Sequence, residues 1–213
     1  KGQDLLLRRP LSIHLAKDDC LEIIYKVVGR GTEKLAQVKE QEKIDVIGPL
    51  GNGYTLSEGK ALLVGGGTGI ASLVFLAEAL KNKFNSVPTV LMGAKSQEEP
   101  LCSNSLEKIG CTVKMATDDG SVGFHGLVTE LFREMVAIFS THPSMVYACG
   151  PLPMLRELVR LCRHFRIPCE VSLEEHMGCG VGACLGCVVK GAKGEYLRVC
   201  KEGPVFKASE VIL

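Results

Sequence analysis

Four cysteines fall within 22 residues toward the C-terminal end of the chain, at Cys179, Cys184, Cys187 and Cys200. Their spacing is C-x4-C-x2-C-x12-C, and only Gly, Val, Ala and Leu separate the first three. A C-x4-C-x2-C run with a distant fourth cysteine is the spacing of a plant-type [2Fe-2S] cluster. Two irons need two thiolates each, supplied by a loop that wraps them. Gly178, Gly180, Gly182 and Gly186 let the backbone curl tightly and turn N–H groups toward the sulfurs, and such hydrogen bonds tune a reduction potential. The low bulk keeps a cluster near the surface, where an electron can pass to a partner. Two other readings stay open: a structural zinc, which usually takes two short-spaced pairs where this chain has only Cys184 with Cys187, and unligated or disulfide-bonded thiols.

Glycine-rich loops form a second group. In LLRRPLSI (residues 6–13), the Arg9 guanidinium offers paired hydrogen bonds to a pyrophosphate, Pro10 stiffens the backbone and Ser12 can bond a flavin ring. Alone, such a string is as much an ordinary surface feature as a site. About a dozen residues on, Gly29 and Gly31 permit close approach, and the N–H groups of Gly31 and Thr32 open a helix and suit an anion. GPLGNGY (48–54) is a third loop of this kind. VGGGTGIA (64–71) runs from an apolar strand into a helical pattern, where parallel sheets seat a nucleotide. It departs from G-x-G-x-x-G, because position 70 is Ile, and it lacks the lysine of a P-loop. Gly65, Gly66, Gly67, Thr68 and Gly69 are therefore nucleotide candidates by context. YACGPLPM (147–154) is a second strand-to-helix turn and adds Cys149, Gly150 and Pro151; the plain alternative for Cys149 is a small buried residue. Asp118 and Asp119 in TDDGS (117–121) suit a turn and could also touch a nucleotide. His125 and His176 lie near these sites but lack a paired acid or base, so they read as solvated or capping residues.

The elements that must hold these residues follow from periodicity. Residues 1–57 contain short β-rich runs, RRPLSIHLA, CLEIIYKVVG and EKIDVIGPLGNGY, with one helix expected over GTEKLAQVKEQEK. From 58 to 172, the apolar strands ALLVGGG, TVLMGA, CTVKMATDD, MVYACGP and IPCEVSLE alternate with the helical patterns GIASLVFLAEALKNK, HGLVTELFREMVAIF and PLPMLRELVRLCRHFR. That order predicts a parallel α/β sheet with helices on both faces. Residues 173–213 carry the cysteine loop and a short tail.

Composition narrows the class. The chain has 213 residues, 46% hydrophobic and 23% charged, with 24 glycines, no tryptophan and a formal net charge of +1. No basic stripe supports nucleic-acid binding. No apolar run approaches the roughly 18 residues of a membrane span, and no secretory signal is visible. Ten cysteines in an α/β chain suit metal or redox chemistry in the cytoplasm; the six outside the cluster read mostly as small buried residues.

Together, RRPLS, GRGT, GPLGNG, GGGTGIA, TDDGS, CGPLPML and CGVGACLGC…VCKEGPVF, in this order, resemble the electron-transfer subunits of dihydroorotate dehydrogenase B, within the ferredoxin–NADP reductase superfamily. The resemblance implies an FAD-binding β-barrel (1–57), an NAD-binding α/β domain (58–172) and a [2Fe-2S] loop domain (173–213). It implies FAD held by Arg9, Pro10, Leu11, Ser12, Ile24, Tyr25, Lys26, Gly31 and Thr32, the cluster held by the four cysteines, and Cys149 near the nicotinamide. It also implies a partner: an FMN-containing dihydroorotate dehydrogenase catalytic subunit, two copies of each chain forming a heterotetramer in pyrimidine biosynthesis. Electrons would run from FMN through the cluster and FAD to NAD+. In this family several barrel strands precede the Arg-Pro-x-Ser motif, whereas here eight residues do, so the barrel is expected to be truncated. Lys95 and Ser96 follow the second strand of the sheet, where a 2′-phosphate is read, and leave NADP open beside NAD.

Two further functions compete. A related flavin and iron–sulfur subunit, such as a sulfide dehydrogenase or a bifurcating NAD(P)H:ferredoxin oxidoreductase subunit, shares most motifs; an all-cysteine ligand set favours the dihydroorotate system, and activity with dihydroorotate separates the two. A zinc-stabilised nucleotide-binding regulatory module is distinguished by the identity of its metal.

Overall fold

The computed structural model describes residues 7–98, 102–138 and 142–213. A seven-stranded sheet dominates. Its strands are β3 (Ala61–Gly66), β4 (Thr89–Ala94), β5 (Thr112–Thr117), β6 (Phe124–His125), β7 (Met145–Cys149), β8 (Cys169–Ser172) and β11 (Val205–Lys207), in the spatial order β11-β8-β7-β3-β4-β5-β6. All pairs are parallel except β11 with β8. The five expected strands are all present. The chain leaves β3 toward β4 and later returns to the other side of β3 as β7. The carboxyl ends of β3 and β7 therefore flank a topological switch point, where such sheets bind ligands.

Alternation along each buried strand feeds two cores. Leu62 and Val64 of β3, with Val146 and Ala148 of β7, face α4 (Val128–Ile138) and α5 (Leu152–Phe165). Leu63 and Val90 face α2 (Ile70–Phe84), with Leu106 of α3 (Ser103–Ile109) in the same core. In α5, Leu155, Leu158, Val159 and Cys162 bury one face, and Pro153 sits in the first turn, where its missing N–H has no partner to lose. Phe139, the last residue of the expected helical pattern HGLVTELFREMVAIF, lies outside the described residues. The strands are not apolar throughout: β5, one from the sheet edge, exposes Thr112 and Lys114.

The C-terminal region is built onto the sheet. After the cysteine loop, β9 (Val188–Lys190) and β10 (Tyr196–Arg198) form an antiparallel hairpin, and the chain then adds β11 to the edge of β8. Phe206 of β11 is buried with Val199, Cys187 and Cys200 in the α4–α5 core; burial of such a ring contributes roughly 1.5–3 kcal/mol.

The N-terminal region departs most from expectation. The described residues form one hairpin, β1 (Leu15–Lys17) with β2 (Cys20–Glu22), rather than barrel strands over all three β-rich runs. Among the described residues no further strand pairs with this hairpin, and Val27, Val28, Val46 and Ile47 are exposed. The first helix, α1 (Arg30–Ala36), stops well short of residue 43. It buries no side chain, and VKEQEK beyond it offers no apolar stripe to extend it. No described helix is long and apolar enough to cross a membrane.

Candidate functional site

The cysteine loop draws its sulfurs near one another: the Cys184 side chain acts on the Cys179 thiol, and those of Cys187 and Cys179 act on the Cys200 thiol. Backbone donors converge on them. The N–H groups of Val181, Ala183 and Cys184 donate to Cys179 Sγ at 3.4, 3.3 and 3.4 Å. That of Gly182 donates to Cys200 Sγ at 3.2 Å, and that of Cys200 to Cys187 Sγ at 3.5 Å. The N–H of Val181, then those of Cys184 and Ala183, lower the Cys179 pKa to about 6, which favours the thiolate that ligates metal. Cys200 is pushed up, first by burial and then by the Cys187 side chain. Cys187 and Cys200 are buried, while Cys184 is exposed beside Val181 and Leu185. The donor set fits an iron–sulfur cluster: four cysteine sulfurs on one loop and the turn that follows it, with N–H groups aimed at three of them.

At the switch point, the loops after β3 and β7 touch through their backbones. A Cβ on Gly69 would stand 2.6 Å from the carbonyl carbon and oxygen of Cys149, so only glycine allows the two turns to meet. Gly65, Gly66, Gly67, Thr68, Gly69, Cys149, Gly150 and Pro151 are thus gathered in one place. Cys149 is buried. Burial pushes its thiol pKa up, and the hydroxyls of Ser72 and Ser172 within reach of it oppose that. The same two hydroxyls reach the phenol of Tyr54, whose pKa burial holds well above its ordinary value. Tyr54 was not singled out from sequence. It donates to Ala148 O at 3.0 Å, while Tyr147 donates to Thr55 O at 2.6 Å, and the two rings meet edge to face. In the sheet edge beyond, Asp119 Oδ1 accepts from Ser121 N–H and Oγ, closing the expected turn. His125 is exposed against Gly120, and His176 is exposed.

On the N-terminal side, the Arg9 guanidinium lies over Gly31: a Cβ there would be 2.2 Å from Arg9 Nε. Thr32 Oγ1 accepts the Val28 N–H at 2.9 Å and closes the turn into α1. Arg9, Gly31 and Thr32 therefore converge. Pro10, Leu11, Ser12 and Ile24, Tyr25, Lys26 lie on the extended segments outside the β1–β2 hairpin, whose register pairs Leu15 with Glu22. Carried outward, that register sets Ser12 opposite Tyr25. His14, also missed from sequence, is buried, and its Nδ1 bonds Ala71 O at 3.0 Å, tying this segment to the first turn of α2. Its signal was a single polar residue between Ile13 and Leu15.

One segment joins the two ends of the site. Asn52 donates from its backbone N–H to Gly203 O at 2.5 Å, and from Nδ2 to Lys201 O and Glu202 O at 3.1 and 3.0 Å, gripping the turn that carries Cys200. Two residues on, Tyr54 bonds the strand that ends in Cys149.

A nucleotide-type sheet followed by a cysteine loop whose backbone N–H groups converge on its sulfurs defines an iron–sulfur oxidoreductase of the ferredoxin-reductase-like class. Residues 63–160 match the family model of the oxidoreductase NAD-binding domain, and residues 174–212 that of the iron–sulfur cluster binding domain of dihydroorotate dehydrogenase B. The chain belongs to the family of dihydroorotate dehydrogenase B (NAD(+)) electron transfer subunits. It is 43% identical to that subunit of Desulforamulus reducens, over 98% of this chain and 81% of the relative. It is 44% identical to that of Geobacillus kaustophilus, over 99% and 82%. A solved structure of an NADH-dependent reduced ferredoxin–NADP oxidoreductase, from work on flavin-based electron bifurcation, superposes with a TM-score of 0.86 at 32% identity, over 97% of this chain and 74% of the other. The chain is an electron-transferring oxidoreductase subunit.

Proposed function

We propose that this chain carries electrons to NAD+ from an FMN-containing catalytic subunit that oxidises dihydroorotate, in a cytoplasmic heterotetramer of two copies of each chain. When bound, a [2Fe-2S] cluster supplies a one-electron carrier, and FAD the group that passes between single electrons and a hydride. The observation that carries the reading is the convergence of backbone N–H groups on the cysteine sulfurs: Val181, Ala183 and Cys184 on Cys179, Gly182 on Cys200, and Cys200 on Cys187. Such bonds to the ligating sulfurs tune the potential of an iron–sulfur cluster. Ten free cysteines suit a reducing compartment.

The chain's residues divide the work. Cys184, with exposed Val181 and Leu185, presents the edge of the ligand loop to the partner. Arg9, over the Gly31–Thr32 turn, binds the FAD pyrophosphate, and Pro10, Leu11, Ser12, Ile24, Tyr25 and Lys26 line the flavin along the two extended segments. The Gly65–Gly69 turn and Gly150–Pro151 receive NAD, and Cys149 packs as a neutral thiol beside the nicotinamide and excludes water. Residues 1–57 thus serve FAD, 58–172 NAD and 173–213 the cluster.

Anaerobic purification with iron, sulfide, zinc and flavin analysis tests this reading. About two irons and two sulfides per chain are expected; zinc without sulfide refutes it. The likeness to the bifurcation-related oxidoreductase favours a second reading, a subunit of that kind, and failure to reduce NAD+ with dihydroorotate in the presence of the catalytic partner would select it.

A further inference from the structure

Beside the N–H bonds to the Cys187 and Cys200 sulfurs, the Arg198 side chain links the turn that carries Cys200 to the Cys179–Cys187 loop. Arg198 Nη1 donates to Gly182 O at 2.9 Å. Its Nε donates to Glu202 Oε2 at 2.9 Å, and its Nη2 to Glu202 Oε1. The Arg198 backbone N–H also donates to Glu202 Oε2, at 2.7 Å. Arg198 O in turn accepts the N–H groups of Lys201, Glu202 and Gly203, closing the turn around Cys200. Gly182 is gripped at both polar atoms, because its own N–H donates to Cys200 Sγ. The Arg198 charge lies near the sulfurs of Cys187 and Cys200, and both side chains of the ion pair are partly buried.

We propose that Arg198, oriented by Glu202, is the positioning residue that fixes the two ligand-bearing segments relative to each other and raises the reduction potential of the cluster they hold. The inference rests on the two-iron reading above. A four-thiolate cluster held by these residues would become one unit more negative on one-electron reduction, with no bond or proton transferred. A nearby permanent cation favours that state, and the carboxylate that holds the cation partly offsets it. A purely structural clamp would make removal of either partner act alike. An electrostatic one makes them act oppositely.

The test is a redox titration of the cluster-loaded complex with its catalytic subunit, followed by electron paramagnetic resonance, with iron and sulfide measured in each sample. Arg198→Gln is expected to lower the reduced-to-oxidised ratio at a fixed applied potential roughly tenfold, about 59 mV for a one-electron couple. Glu202→Gln is expected to raise it, by a smaller factor. Arg198→Lys keeps the charge but loses the forked contacts, so the ratio should stay close to that of the parent while the resonance lineshape changes. If Arg198→Gln does not retain iron, the upward shift in Glu202→Gln decides alone. Shifts of the same sign in both variants, or no shift with full iron, overturn the electrostatic role. An unchanged lineshape in Arg198→Lys overturns the positioning role. Absence of iron and sulfide from the parent overturns the two-iron reading itself, and this inference with it.

Discussion

Replacing Gly31 by alanine separates cofactor binding from folding. The new Cβ would stand 2.2, 2.6 and 2.9 Å from Nε, Cζ and Nη2 of Arg9, so the guanidinium must retreat by about 1.2 Å to reach ordinary contact. Arg9 is exposed, and its guanidinium, which donates to Leu7 O, is the far end of a long side chain, so the retreat is cheap for the fold. Gly31 also sits in the first turn of α1, where alanine is worth up to about 1 kcal/mol more than glycine in a helix. Stability should therefore be unchanged or slightly higher. A hydrogen bond to a charged group is worth about 1.5–3 kcal/mol, so loss of the Arg9–pyrophosphate contact should weaken FAD binding roughly 10- to 150-fold. Calorimetric melting of the flavin-free protein and fluorescence titration with FAD read the two quantities separately. Arg9→Ala should give a similar loss, and the double variant little more than either single one. Parent-like FAD affinity in Gly31→Ala would refute the placement of Arg9 on the pyrophosphate. An affinity loss that tracks a lower melting temperature would show damage to the fold instead.

Two predictions concern the switch point. Gly69→Ala brings a Cβ to 2.6 Å from the Cys149 backbone and 2.8 Å from Gly150 N; because Gly69 already has a helical φ of −60°, the whole effect comes from crowding. Urea melts should show a loss of about 1–3 kcal/mol, and KM for NADH should rise while iron content is unchanged. The Cys149 pKa is raised by burial, so the folded protein holds this proton more tightly than the unfolded chain. The stability it contributes is full below the unfolded thiol pKa, about 8.5, and is lost as pH rises from there through the folded value. Alkylation of Cys149, followed by mass spectrometry, should stay slow up to about pH 8.5 in folded protein and become fast on denaturation; rapid labelling at neutral pH in the folded state would contradict this.

The parts of the protein legible in sequence are those with a local signal. Doubly covered strands announce themselves as apolar runs, α5 by its 3.6-residue period, and the cluster by cysteine spacing. Of the six cysteines outside the cluster, Cys111, Cys162 and Cys169 are buried as expected, Cys149 is buried at the switch point, Cys102 is partly buried and Cys20 is exposed. What escaped depends on contacts between distant positions. β11 is three residues long and owes its place to Phe206 and to its pairing with β8. The Tyr54–Tyr147 exchange of hydrogen bonds spans more than 90 residues, and the Asn52 contacts to the Cys200 turn about 150. Arg198 and Glu202 are an ordinary i, i+4 pair in the string; only the fold brings Gly182 against them. Of the three β-rich runs in the N-terminal segment, two contribute to the β1–β2 hairpin, while the described residues of EKIDVIGPLGNGY form no named strand: strand propensity makes a ladder only where a partner strand lies beside it.

The central claim is that the four cysteines carry electrons between the partner subunit and the flavin. Cys184→Ser, assayed in complex with the catalytic subunit, tests it most directly by two activities measured on one preparation: NAD+ reduction by dihydroorotate, and NADH oxidation by an artificial dye that accepts electrons from the flavin. The account predicts that iron and dihydroorotate-dependent activity are lost while NADH–dye activity and bound FAD largely persist. Loss of both activities in equal measure with FAD retained, or dihydroorotate-dependent turnover that survives without iron, would contradict it.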